Sequence, residues 1–180
     1  MLIRREDSLL LVVDLQQKLA PAIHDGERVV ANAVRLLEGA RQLGVPAFVS
    51  EQYVRGLGPS LEAIRAAAGT ARFFEKTHFS CSAEPGVLDL LRSAQRQQVI
   101  LCGTETHVCV LQTAFGLHAA GFEVYLVADA ASSRTPENRS AAIERLRAGG
   151  VGIVTTEMVL FEWLHAAGTE QFRALLPLIK

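Results

Sequence analysis

The chain has 180 residues, 49% hydrophobic and 21% charged, a composition that supports a packed core and argues against a disordered or fibrous protein. Eighteen basic residues stand against nineteen acidic ones, for a formal net charge of −1, and no Lys/Arg cluster marks a nucleic-acid surface. Three cysteines, Cys81, Cys102 and Cys109, form no C-x-x-C pair and are odd in number. That argues against a disulfide framework and fits a soluble, reduced, cytoplasmic protein.

The opening stretch MLIRREDSLLLVVDLQQ has a short apolar run that ends in an aspartate, with no small-residue cleavage site after it. The expectation is a chain with neither signal peptide nor membrane anchor. SLLLVVDL (8–15) reads as a strand buried on both faces. ERVVANAVRLLEGARQLG (27–44) reads as a helix with Val30, Val34, Leu37 and Ala40 along one face and Gly44 as its stop. PAFVSEQ (46–52) is a second strand, followed by a Gly/Pro-rich loop and a short Ala-rich helix over roughly 60–68. ARFFEKTHFS (71–80) reads as the third strand, PGVLDLLRSAQ (85–95) as a helix and QVILCG (98–103) as the fourth strand. The helix that holds Cys109 runs to about Gly121, and EVYLVADA (123–130) is the fifth strand. TPENRSAAIERLRAGG (135–150) has Thr135 as N-cap, Pro136 at the first helical position and a glycine stop. GIVTTEM (152–158) reads as the sixth strand, and VLFEWLHAAG and EQFRALLPLI as two C-terminal helical pieces.

This alternation predicts an α/β domain over residues 1–180. It is a three-layer, doubly wound, mostly parallel six-stranded sheet of the Rossmann-like kind. Ligands in such sheets sit outside the carboxyl ends of the strands. Reactive side chains gather at those ends: Asp14 after strand one, Lys76 and His78 at strand three, Cys109 just beyond strand four, and Asp129 at strand five. No glycine-rich dinucleotide or phosphate loop follows any strand.

Cys109 can be a nucleophile or a small apolar packing residue, and its own segment leaves both open. If Thr106 caps the helix, Cys109 lies at the third helical position, where the dipole and a nearby cation favour a thiolate. His107, two residues away, points about 200° around the helix and is a poor base for it. Asp14 is better placed, on a strand expected beside strand four. Lys76 would supply the positive charge that keeps Asp14 ionised and stabilises the thiolate. Strand alternation puts Phe74, Lys76 and His78 on one face. Cys102 is expected inside strand four, buried. The five histidines show no zinc-type spacing, so no metal and no cofactor is expected.

In order, LLLVVDLQQKL, FFEKTHFSC and ILCGTETHVCVLQTA resemble the isochorismatase-like cysteine hydrolases, a superfamily that includes nicotinamidases. The resemblance runs from about residue 8 to residue 160. EQYVRGLGPS and VADAASSRTPENR resemble the subgroup called isochorismatase domain-containing proteins. The resemblance implies a catalytic triad of Asp14, Lys76 and Cys109 that cleaves an amide-like C–N bond of a small molecule through an acyl-enzyme. It also implies an oxyanion hole from the backbone N–H groups of Glu105 and Cys109, with a cis bond between Thr104 and Glu105. Gln16 would support the loop around Asp14. Nicotinamidases carry a D-x-H…H metal site where this chain reads SEQYVRGLGPS, which weighs against metal and nicotinamide. Isochorismatases acting on the vinyl ether lack the cysteine, which weighs against isochorismate.

Tyr53, His78, Phe79, His107 and Val108 are candidate pocket residues. The apolar tail over 159–180 is expected to cover a sheet edge or meet a second subunit in a homo-oligomer; neither nucleic acid nor membrane is an expected partner. Two alternatives remain, a non-catalytic small-molecule binder and a thiol redox protein.

Overall fold

The computed structural model describes residues 1–179; Lys180, the end of the expected tail, lies outside them. Six parallel strands form one sheet: β1 (Ser8–Val13), β2 (Ala47–Gln52), β3 (Arg72–Lys76), β4 (Gln98–Thr104), β5 (Glu123–Ser132) and β6 (Gly152–Val154), in the order β3-β2-β1-β4-β5-β6. Eight helices connect or cover them: α1 (Gly26–Leu43), α2 (Val54–Leu57), α3 (Glu62–Ala68), α4 (Val87–Arg92), α5 (Leu111–Ala119), α6 (Pro136–Ala148), α7 (Thr156–Leu164) and α8 (Glu170–Ile179).

Every residue of β1 is buried, as its unbroken apolar run requires of a central strand covered on both sides. Leu10 and Val12 face a core shared with α1, α3, α7 and α8. Leu9, Leu11 and Val13 face the opposite core, built with α4, α5 and α6. β4 alternates in the same way, so Cys102 and Cys109 belong to cores on opposite faces of the sheet.

Several boundaries differ from the sequence expectation. The buried stripe of α1 is Val29, Ala33, Leu36, Leu37 and Ala40, whereas Val30 and Val34 are only half-buried at its flank. Residues 54–57, expected as loop, make the single turn α2. β3 stops at Lys76, so His78 is not on its face. β5 continues through Ser132, and β6 has only three residues because Thr155 caps α7, accepting from Met158 N at 3.3 Å. The apolar tail lies across a sheet face and not at its edge. Val159, Leu160, Trp163, Leu164 and Leu175 join the core beside α1. No described helix is long and apolar enough to cross a membrane.

Candidate functional site

The carboxyl ends of four adjacent strands bring the site together. Register pairs Gln52 with Lys76 across β2 and β3, Val13 with Ser50 across β1 and β2, and Val13 with Gly103 across β1 and β4. Asp14 follows directly at the end of β1 with φ +51°, a left-handed conformation that Asp tolerates better than most residues. β4 approaches β1 so closely that a Cβ on Gly103 would sit 2.1 Å from the Val13 carbonyl oxygen; φ there is +118°. Only glycine meets both demands.

Asp14 and Lys76 form a fully buried ion pair, Nζ to Oδ2 at 2.7 Å. Lys76 Nζ also donates to Gln52 Oε1 at 2.5 Å and to the Phe79 carbonyl at 3.1 Å. Asp14 Oδ1 accepts from Ser50 Oγ at 2.7 Å, and its backbone carbonyl accepts from Thr104 Oγ1 at 2.8 Å. Gln16 braces this corner: Nε2 donates to the carbonyls of Gln52 and Gly58, and Oε1 accepts from Gln52 N at 2.7 Å. A buried ion pair is stable only when further hydrogen bonds support it; here each carboxylate oxygen accepts one bond and Lys76 Nζ has three close acceptors.

Cys109 sits on a π-helical turn, Thr106–Val110, that feeds α5 and is closed by a bond from Val110 N to the Glu105 carbonyl at 3.2 Å. Glu105, not Thr106, occupies the cap position, and the buried Thr106 hydroxyl has no hydrogen-bond partner among the described residues. The Thr104–Glu105 peptide is cis. Cys109 is 6% exposed, and the charges that act on its thiol are those of Asp14 and Lys76.

The electrostatics correct one expectation. Burial first, and then the Asp14 charge, push the Cys109 thiol up to about 12; Lys76 opposes them without prevailing. Burial and the Asp14 charge thus favour the neutral thiol over the thiolate. Burial also pushes Asp14 up, against the pull of the Lys76 charge and of hydrogen bonds from Lys76 and Ser50. Burial weakens the Lys76 ammonium, but the charge of Asp14 and its hydrogen bond oppose this, and Lys76 is held above its ordinary value.

The other expected residues divide. Tyr53 and Phe79 are 58% and 55% exposed and follow the ends of β2 and β3. His78 faces outward, its Nδ1 2.9 Å from Glu84 Oε2, a contact that holds Glu84 down at about 2. His107 turns to Ser133, Nδ1 to Oγ at 2.9 Å, and Val108 is half-buried on the same turn. Asp129 is not at a strand end. It lies where β5 slips register against β4, and its Oδ1 accepts from Thr156 N and Oγ1, fixing the start of α7. Sequence reasoning missed Ser50, Gln52 and Cys81. Ser50 and Gln52 were visible as polar residues on one face of a strand that must be buried. The Cys81 thiol, fully buried in the Cys109 core, is pushed up by burial to about 11.

The sheet order, the two helical layers and the polar cluster at the strand ends define an α/β protein of the isochorismatase-like hydrolase fold. The Isochorismatase domain family matches residues 8–158, and the chain belongs to that family. It is similar to isochorismatase domain-containing protein 2 of Danio rerio, with 40% identity over 172 residues covering 96% of this chain and 86% of the relative. Among solved structures, one described as MAR1 ribonuclease from Caenorhabditis elegans superposes with a TM-score of 0.93 at 34% identity, covering 99% of this chain and 92% of that one. The Escherichia coli YcaC gene product, described as an octameric hydrolase of unknown specificity, shares the fold: TM-score 0.93, 20% identity, 99% of this chain and 90% of the other.

Proposed function

We propose that this chain is a cysteine hydrolase that cleaves an amide-like C–N bond of a small molecule through a covalent acyl-enzyme. The observation that carries this is the buried Lys76–Asp14 pair at the strand ends, with Cys109 buried near enough for both charges to act on its thiol. Asp14 takes the thiol proton as sulfur attacks the carbonyl carbon, so a thiolate forms only in the reacting complex. The Glu105 and Cys109 N–H groups receive the developing oxyanion. Asp14 then returns the proton to the leaving nitrogen as the C–N bond breaks. Water attacks the thioester, with Asp14 again the base, and Cys109 leaves as the thiol. Lys76 keeps its proton throughout and offsets whichever negative charge the site carries. Tyr53, Phe79, His107 and Val108, close in sequence to the reacting segments, are the residues that would contact the substrate.

A screen of small amides, ureides and carbamoyl compounds with Cys109→Ser as control tests this. Turnover that the substitution abolishes is the expected result. RNA belongs in the same screen because the C. elegans relative is described as a ribonuclease, although a net charge of −1 gives little attraction to a polyanion. RNA cleavage indifferent to Cys109→Ser would overturn the proposal. Tight binding of a screened compound without turnover would favour the non-catalytic binder.

We also propose that residues 1–180 act as one domain and that the chain is a homo-oligomer. The exposed Tyr53, Phe79, Met158 and Phe161, and the octamer described for YcaC, support assembly. Light scattering at 19.5 kDa, the mass of one chain, would contradict it.

A further inference from the structure

Ser50 is a buried hydroxyl beside the reacting groups that the chemistry above leaves without a task. It is fully buried near the end of β2. Strand alternation points Phe48, Ser50 and Gln52 to one side, and Phe48 lies in the core that holds Cys109. The backbone of Ser50 already serves the sheet, accepting from Asp14 N at 3.2 Å, so its side chain is not needed to hold the strand. Instead the hydroxyl donates to Asp14 Oδ1 at 2.7 Å, while Lys76 Nζ donates to Oδ2 at 2.7 Å. Held by Lys76 alone, the carboxylate could pivot about its Cβ–Cγ bond. Held by donors from β2 and β3, it cannot.

We propose that Ser50 is a positioning residue for the acid–base step: its hydroxyl fixes the orientation of the Asp14 carboxylate and favours the ionised form that must accept the Cys109 proton. This rests on the Asp14–Cys109 chemistry proposed above. The thiol proton passes from Cys109 to Asp14 and later to the leaving nitrogen; Ser50 keeps its own proton throughout. Each donor to a carboxylate stabilises the charged form over the acid. Removing one from a buried carboxylate therefore extends the acid form to higher pH.

The test is the pH dependence of Cys109 alkylation by iodoacetamide, followed by peptide mass spectrometry on the full chain between about pH 4 and 9. Wild type, Ser50→Ala, Ser50→Thr, Ser50→Cys and Asp14→Asn are compared. For Ser50→Ala the acid limb is expected to move up by about one pH unit, slowing alkylation on that limb roughly tenfold. Ser50→Thr keeps the hydroxyl and the wild-type limb. Ser50→Cys, a weaker donor of similar size, falls between and serves if the alanine variant does not fold. A residue that only fills space would change the denaturation midpoint and leave the limb in place. Superimposed limbs for wild type and Ser50→Ala, with the limb lost in Asp14→Asn, would overturn the role of Ser50 alone. Alkylation unchanged by Asp14→Asn would overturn the Asp14–Cys109 chemistry beneath it.

Discussion

A lysine and an aspartate buried together carry a large desolvation cost, which their attraction offsets only with good geometry and further hydrogen bonds. Gln52, Ser50 and the Phe79 carbonyl provide those bonds, so the pair persists at the centre of the molecule. Removing one partner strands the other charge. Lys76→Met is expected to destabilise the protein by roughly 3–5 kcal/mol in urea titration as well as abolishing activity; a loss below about 1 kcal/mol would mean that the pair is not intact in solution. The thiol gives a second expectation at this scale. Because Asp14 is raised above 3.8 and Cys109 to about 12, alkylation should rise as pH climbs through the Asp14 value. It should then stay flat between about pH 7 and 9, where an ordinary thiol with a pKa near 8.5 gains rate steeply. A rate that tracks an ordinary thiol titration would contradict the neutral resting state. At this scale the three residues of the proposed triad were legible as chemically complementary groups beyond apolar runs. Their ionisation was not, because burial depends on the whole sheet and outweighed the neighbouring lysine at Cys109.

Elements carry the placement. The central strands were legible because parallel strands buried on both faces leave continuous apolar runs, as in β1 and β4. α6 was legible from its cap, Thr135 Oγ1 accepting from Asn138 N at 3.3 Å with Pro136 following. Edges read less well. The β-branched Thr155 and Thr156 extend the strand pattern of β6 in the sequence, whereas Thr155 and Asp129 hand that segment to α7. The π-helical turn carrying Cys109 has no signature in local propensity; such turns are rare and frequent at functional sites. Asp129 shows how a strand-end position misleads. Its carbonyl accepts from Arg28 Nη1 and Asn32 Nδ2, both at 2.8 Å, and its carboxylate holds Thr156. Asp129→Ala is expected to cost about 1–2 kcal/mol of stability, the value of a lost cap, while Cys109 alkylation proceeds at the wild-type rate. A large fall in alkylation without a change in stability would return Asp129 to the reacting site.

At the scale of the molecule, one sheet places residues 14, 76 and 109 in a single cluster that no short segment of the chain contains. β1 and β4 are neighbours because the chain reverses its winding between them, and β3 reaches the site through its register with β2. The two cores separate Cys102 from Cys109, so a disulfide between them would have to cross the sheet. Trp163, almost fully buried with Nε1 donating to Ser8 Oγ at 3.1 Å, ties the C-terminal helices to the start of β1. The architecture was therefore readable from the order of elements, while the identity of the substrate was not, since no stretch of the sequence carries a signature of one substrate. The acyl-enzyme can be sought without knowing the substrate, by acid-quenched mass spectrometry with p-nitrophenyl acetate as an activated acyl donor. One acetyl group mapped to Cys109, absent in Cys109→Ala and diminished in Asp14→Asn, is the expected result. Acetylation that is indifferent to both substitutions would contradict it.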